Sequence, residues 1–496
     1  MSTVLRPILI SAILSGMAVG LSACSSLSPE PALAGEGLHP EQSGEGVGET
    51  GLAEPGPRPV SKSGVSVLSG GWDPQADAFV IQAHDAASGE PAEWGALHLE
   101  DGGRELGTYA FSPDGNTLAL VTGTTPFCTA MGGGSACWPS SKALHFVDLT
   151  TRSTISVDPG VGRVGALTFS PDGRHVALVH ESRRAIEARV YDPSDGRLLQ
   201  SAVVPFVPSY LGYTVDGGNL ILVGAEEGAD PGIPPPGPLM VLLLNGESLE
   251  TAWRQTMDGI VHGSWCLEEC DGSHEFPVMA SWSPAIVRIP GTDQIAIVHA
   301  DADRLTSIDA AEQRVTTTEI TTPRSWLDQL MALGTVAAEA KGASEGAHRE
   351  AVASPDGSRL YTVGRAYHAR RGDDGAWQMW DEPLGLQVID PSTASRIASI
   401  DSGASRVALT KDGSWLLLTV WGDVEVSTQV LPVDGLEEGR SIEAWELMAA
   451  RSLEGTPVVM GLSWTPNLVR CLSVDPATLS RGHSWTLSGA ASLLLP

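Results

Sequence analysis

Five short stretches of this chain repeat one pattern. Phe111-Ser112-Pro113-Asp114-Gly115, Phe169-Ser170-Pro171-Asp172-Gly173, Tyr213-Thr214-Val215-Asp216-Gly217, Ala353-Ser354-Pro355-Asp356-Gly357 and Leu409-Thr410-Lys411-Asp412-Gly413 share it, with worn copies near 289–294 and 464–467. Proline presets φ for a turn and glycine accepts positive φ, so apolar runs on either side of such a turn form an antiparallel hairpin. A hairpin that returns seven times in 496 residues fixes an architecture of stacked units before any single residue suggests a chemistry.

Each unit reads strand, Asp-Gly turn, strand, loop, strand ending in Asp, short turn, strand. The third strand stands out at 144–148, 188–192, 305–309, 386–390 and 428–434, and two of these run into a second turn, Asp192-Pro193-Ser194-Asp195-Gly196 and Asp390-Pro391-Ser392-Thr393. A sheet of four short strands buries both faces only by stacking on its neighbours around an axis, which is the blade of a β-propeller. The expectation is an all-β, seven-bladed propeller over residues 64–496, with eight blades as the alternative. A C-terminal strand at 492–495 pairing beside 65–68 would remove the open edge.

The turn aspartates fall at 114, 172, 216, 293, 356 and 412. That spacing exceeds the roughly 40 to 45 residues of a compact blade. The surplus sits in insertions: a Cys-bearing loop at 127–141, a proline loop at 230–237, a second Cys loop at 265–276, the segment 367–382, and a short helical insertion near 325–341. For the helix, Ser325 is the cap, Asp328 holds the box position, Leu327, Leu330 and Ala337 recur at helical spacing, and Lys341-Gly342 is the stop.

The Ser-Pro-Asp-Gly turn, the apolar strand after it and the strand ending in Asp resemble the PD40 and YVTN-type repeats of WD40-like bacterial β-propellers, including the propeller part of the TolB family. The resemblance spans about 65–495 and departs from the pattern at Leu360-Tyr361-Thr362-Val363-Gly364, which lacks the Asn of the YVTN motif; the TolB N-terminal domain has no counterpart. It implies a binding or scaffolding module. The same fold hosts lactonases and quinoproteins, so a propeller enzyme and a metal-binding envelope protein stay as alternatives. No GxSxG and no HExxH occurs, and no residue is singled out as catalytic.

Arg6, an apolar run over 8–21 and then Leu21-Ser22-Ala23-Cys24 resemble the lipobox of bacterial lipoproteins. That resemblance implies a signal peptide at 1–23 and a diacylglyceride, and with it fatty acids such as palmitate, on Cys24. The apolar run is shorter than the roughly 20 residues a spanning helix needs. Residues 24–63 are Ser, Pro, Gly, Glu and Ala with almost no large apolar side chain, too little to offset the entropy of ordering them, and read as a disordered tether. The expected address is the extracytoplasmic face of a cell membrane. Acidic residues outnumber basic ones 60 to 30, a net charge of −30, which disfavours a nucleic-acid partner and leaves a protein or glycan.

Of six cysteines, one belongs to the lipid. Cys128 and Cys137 share a loop, as do Cys266 and Cys270, and close pairs in an exported protein read as disulfides; Cys471 stands alone. His262, Cys266, Cys270 and His274 also have the donor types of a zinc site. On a straight helix the outer two would be about 18 Å apart, so only a folded loop could gather them. His84, His180 and His299 each end what reads as the second strand of a blade, so the loops after them would leave on one face, with Asp85, Glu181, Glu226, Glu227, Asp301 and Asp303 nearby. They read either as a face for a cation or polar ligand or as separate polar strand caps; no cofactor is expected, with a divalent metal as the alternative. The 367–382 segment carries Tyr367, His368, Arg370, Arg371, Trp377, Met379 and Trp380, residue types of binding hot spots or of a longer hairpin packed on its blade.

Overall fold

The computed structural model describes residues 65–494, with internal exceptions of which the longest are 226–237, 269–277 and 322–345. The signal-like segment 1–23, Cys24 and its tether, the proline loop, Cys270, His274 and the helix read over 325–341 lie outside the described residues. Every regular element among the described residues is a strand.

The strands form eight sheets, so the ring has eight blades and not seven. In chain order they occupy residues 66–99 (blade 1), 105–157, 163–204, 207–257, 285–319, 346–400, 406–443 and 446–488 (blade 8). Seven first turns serve eight blades because blade 1 takes its innermost strand from the other end of the chain. Ser492–Leu494 pairs antiparallel with Ser66–Asp73, Leu68 opposite Leu494 and Gly70 opposite Ser492, and Ala78–Asp85 and Pro91–Leu99 complete the sheet. The worn copy near 464–467 is a different connection, joining the second and third strands of blade 8, Pro457–Thr465 and Leu468–Val474. The first turn of that blade lies at 452–456, where the Thr456 amide donates to Ser452 Oγ.

Middle strands read as unbroken apolar runs because neighbouring blades cover both their faces. In blade 4, Asn219–Ala225 and Leu239–Asn245 are buried almost throughout, while the outer strand Thr251–Met257 alternates. Leu220, Leu222, Met240 and Leu242 pack toward blade 3, against Val179 and Val190; Ile221, Val223, Leu239 and Val241 pack toward blade 5, against Ile295 and Ile297. Such a core lies between every pair of neighbours. The one that closes the circle joins Val67 and Leu493 of blade 1 to Met460, Leu462, Cys471, Trp485 and Leu487 of blade 8. Cys471 is therefore a packing residue, its thiol pushed up to about 12 by burial.

The recurring turn is a hydrogen-bonded unit. The hydroxyls of Ser112, Ser170, Thr214, Ser354 and Thr410 donate to the aspartate two residues on at 2.5, 2.6, 2.7, 2.6 and 2.6 Å. The same oxygens accept the amide five residues on, as Thr117 N–H to Ser112 Oγ at 2.8 Å. Those donors hold the carboxyls of Asp114, Asp172, Asp216 and Asp412 below the usual range and bring Asp356 to about 2. The turn glycines have φ of 71 to 75°, which favours glycine. Consecutive turns also lie close, since a Cβ on Gly217 would come 3.5 Å from Pro171 and one on Gly413 2.8 Å from Pro355, so the motif links blades as well as strands.

Leu494 is fully buried beside Leu68 and Phe79. Leu494→Ala is expected to destabilise the whole ring by about 2 to 5 kcal/mol, read as a lowered urea midpoint with one cooperative transition; an unchanged midpoint would mean the terminal strand does not hold the ring.

Candidate functional site

Antiparallel order sends the connections between first and second, and third and fourth, strands to one end of each blade. Connections between second and third strands, and from blade to blade, go to the other end. The first end carries mostly short turns, the longest connection there being 475–484 in blade 8. The second, here the loop face, carries the longest excursions among the described residues. From blade 2 rises a hairpin arm, the paired tips of Thr117–Met131 and Gly134–Asp148; from blade 6 rises another, the end of Leu360–Arg371 paired with Trp377–Pro383. In an eight-blade ring these two stand opposite each other. Between blades 4 and 5 a third hairpin, Gly263–Glu268 with Val278–Ser283, reaches past blade 5, and this crossing hairpin pairs in parallel with the first residues of Gly346–Ala353, Ser283 opposite His348. That places it on the inner edge of blade 6, at the mouth of the central channel.

Beside this hairpin the inner strands of blades 6, 7 and 8 begin with charged residues. Arg406 Nη1 donates to Glu446 Oε1 at 2.8 Å, and its Nε lies 3.7 Å from Glu350 Oε1. Glu350 Oε2 accepts the Val407 amide at 3.3 Å, and His348 Nε2 lies 3.7 Å from Oε1. The Arg406 guanidinium sits 6.0 Å from the centre of the Trp421 ring. Glu446 is buried, and that burial outweighs Arg406 and raises its carboxyl above the ordinary range. Sequence reading passed over this cluster. The signal was present as single charges inside apolar strands, in His348-Arg349-Glu350-Ala351-Val352 and Trp445-Glu446-Leu447-Met448. A second set bridges blades 5 and 6, where Asp303 takes Arg349 at 3.4 Å and Arg396 at 2.6 Å.

The three histidines do not share a face. His180 closes Val176–Glu181 and His299 follows Gln294–Val298, both second strands, so both stand at the loop face, in blades 3 and 5. His84 lies in Ala78–Asp85, which is a third strand because blade 1 begins at the C-terminus, and it stands at the turn face beside Asp85. There its ring bonds Ser69 Oγ at 2.8 Å and the Gly89 carbonyl at 3.1 Å, and stacks 4.9 Å from Trp485 of blade 8. Gly89, at φ 70°, lets Trp485 in; a Cβ there would fall 2.1 Å from the indole. His84 is thus part of the ring's clasp. His299 is fully buried, its Nε2 2.8 Å from Thr306 Oγ1.

On the blade 6 arm Trp380 is 45% exposed and stacks on His368 at 5.2 Å, Met379 is 52% exposed, Arg370 donates to Gln378, Arg365 pairs with Asp381, and Trp377 faces Arg371 across the register. On the blade 2 arm Cys128 lies opposite Cys137. Cys266 lies in the crossing hairpin. His262 just before it bonds Ser209 Oγ. Among the described residues no three metal-type side chains converge.

No family model and no curated protein matches this chain. Among solved structures it is similar to the dihydro-heme d1 dehydrogenase NirN in complex with DHE, at 13% identity over 89% of this chain and 77% of that one, with a TM-score of 0.51. It is also similar, at a TM-score of 0.37 and 13% identity, to the β-propeller domain of Cps50 (Swd1) from Myceliophteria thermophila, over 79% of this chain and 99% of that one. Likeness to NirN at that identity shows the fold alone, and the eight sheets make that fold a β-propeller.

Burial lowers His84 and His180 and takes His262 and His299 to about 4. A histidine lowered in the fold binds fewer protons folded than unfolded, so its stabilisation is complete above about pH 6.5 and is lost as pH falls toward 4. His299 alone accounts for on the order of 3 kcal/mol across that window. The turn aspartates add a second loss below about pH 4. The urea midpoint should therefore fall steadily from pH 7 to 4.5, and His299→Gln should flatten that fall; a pH-independent midpoint contradicts the assignment. For the arms, mass spectrometry of unreduced protein should find Cys128 joined to Cys137, since directly opposed strand residues lie about 4.5 to 5.5 Å apart, within disulfide range; two free thiols would refute the pairing.

Proposed function

We propose that this β-propeller is a binding or scaffolding module of a bacterial cell envelope, tethered by lipid at Cys24 and presenting its loop face to a protein or glycan partner. The observation that carries the reading is the asymmetry of the ring. One face is made mostly of short turns, five of them the same hydrogen-bonded unit, and the other gathers both arms, the third hairpin, and the exposed Trp380 and Met379. Functional surface concentrates in loops held by a rigid scaffold. The address rests on the lipobox-like Leu21-Ser22-Ala23-Cys24 and the tether-like composition that follows it.

Two measurements test the reading. Cys24→Ala should abolish palmitate incorporation and move the protein from the membrane to the soluble fraction. Affinity capture from envelope extract should recover a partner whose yield falls at least tenfold with Trp380→Ala plus Arg370→Ala. Turnover of a sugar lactone or an alcohol, with no partner captured, would defeat the proposal.

A further inference from the structure

We propose that the loop-face channel mouth between blades 6, 7 and 8 receives an organic cation, an ammonium or guanidinium group, with Glu446 and Glu350 as its acceptors. The inference rests on the loop face being the binding surface and names the chemistry of what binds there.

Charge is the first argument. Two carboxylates, Glu350 and Glu446, meet one guanidinium, Arg406, which contacts both. The cluster keeps an excess negative charge within a molecule of net charge −30, whose field draws cations toward it. Satisfaction is the second. The Glu446 side chain is only 5% exposed, yet its Oε2 has no hydrogen-bond partner, the other oxygen being taken by Arg406. An ionised carboxylate buried with one oxygen unfilled is an open acceptor, and a charged donor is the partner that suits it. Access is the third. Arg406 is 39% exposed and Glu350 27%, so the cluster is partly open to solvent.

Aromatic surface completes the site. The Trp421 ring already faces Arg406 and can face a second cation, and its Nε1–H is buried without an acceptor. That donor suits a backbone carbonyl, which favours a cation carried on a lysine or arginine side chain over a free amine. A metal is the poorer occupant, because no three metal-type side chains converge among the described residues.

The test is calorimetric titration of the full chain with pentalysine, pentaglutamate and n-butylamine at physiological salt. Pentalysine should bind and pentaglutamate should not. Glu446→Gln and Glu350→Gln should each weaken pentalysine at least tenfold. Glu247→Gln plus Glu250→Gln, which removes charge from an exposed turn on the opposite face, should change it less than twofold. Arg406→Gln should tighten it, a gain that misfolding cannot produce. Butylamine binding with the same dependence on Glu446 would assign the site to a free amine; binding of the peptide alone would assign it to a protein side chain. Equal loss in the turn-face variant, or none in Glu446→Gln, would show attraction by bulk charge and overturn the site. Should pentalysine fail while partner capture still depends on Trp380 and Arg370, the cation site falls and the binding face stands.

Discussion

A sheet of four short strands has two apolar faces and no means of covering either by itself. Everything in this molecule follows from meeting that demand with copies of the same sheet. Ile221 and Leu222 sit side by side in one strand and serve different cores, one shared with blade 5 and one with blade 3. Each blade is thus half of two cores, and an unclosed array would leave two faces wet. The three residues Ser492–Leu494 prevent it by completing blade 1, whose Val67 then packs on blade 8.

The same geometry divides the surface. The repeated turns at the turn face are short and lie against their neighbours, as Gly217 lies by Pro171 and Gly413 by Pro355, so they have little room to vary. At the loop face chain length is free, because a longer excursion leaves the inter-blade cores untouched. Arms, the crossing hairpin and the unmatched carboxylates accumulate there. A buried Glu446 would be a plain cost in a scaffold built only for stability, and its place at the channel mouth gives it a use.

Local chemistry and the closing strand were legible in the sequence, and the number of blades was not. Ser170, Asp172 and Gly173 announce a turn because the bonds that make it lie within five residues. Continuous apolar runs such as Leu220-Ile221-Leu222-Val223 announce strands covered on both sides. The number of blades went astray because blade 1 has no first turn to count. His84 was misplaced for the same reason, since assigning it to a second strand presumes that the blade starts where the chain does. The expected terminal pairing was right, though its consequence for the count was not drawn from it. The Arg406, Glu350 and Glu446 cluster needs three blades side by side before it exists, and no spacing in the sequence brings 350, 406 and 446 together.

Closure by the terminal strand is the claim on which the eight blades, the two faces and the channel-mouth cluster all depend. Native-state hydrogen exchange tests it without altering a residue. The account predicts that amides in Ser66–Asp73 and Ser492–Leu494 exchange as slowly as those of Asn219–Ala225 in the middle of blade 4. Rapid exchange at the terminal strand, with blade 4 still protected, would show an open ring and contradict it.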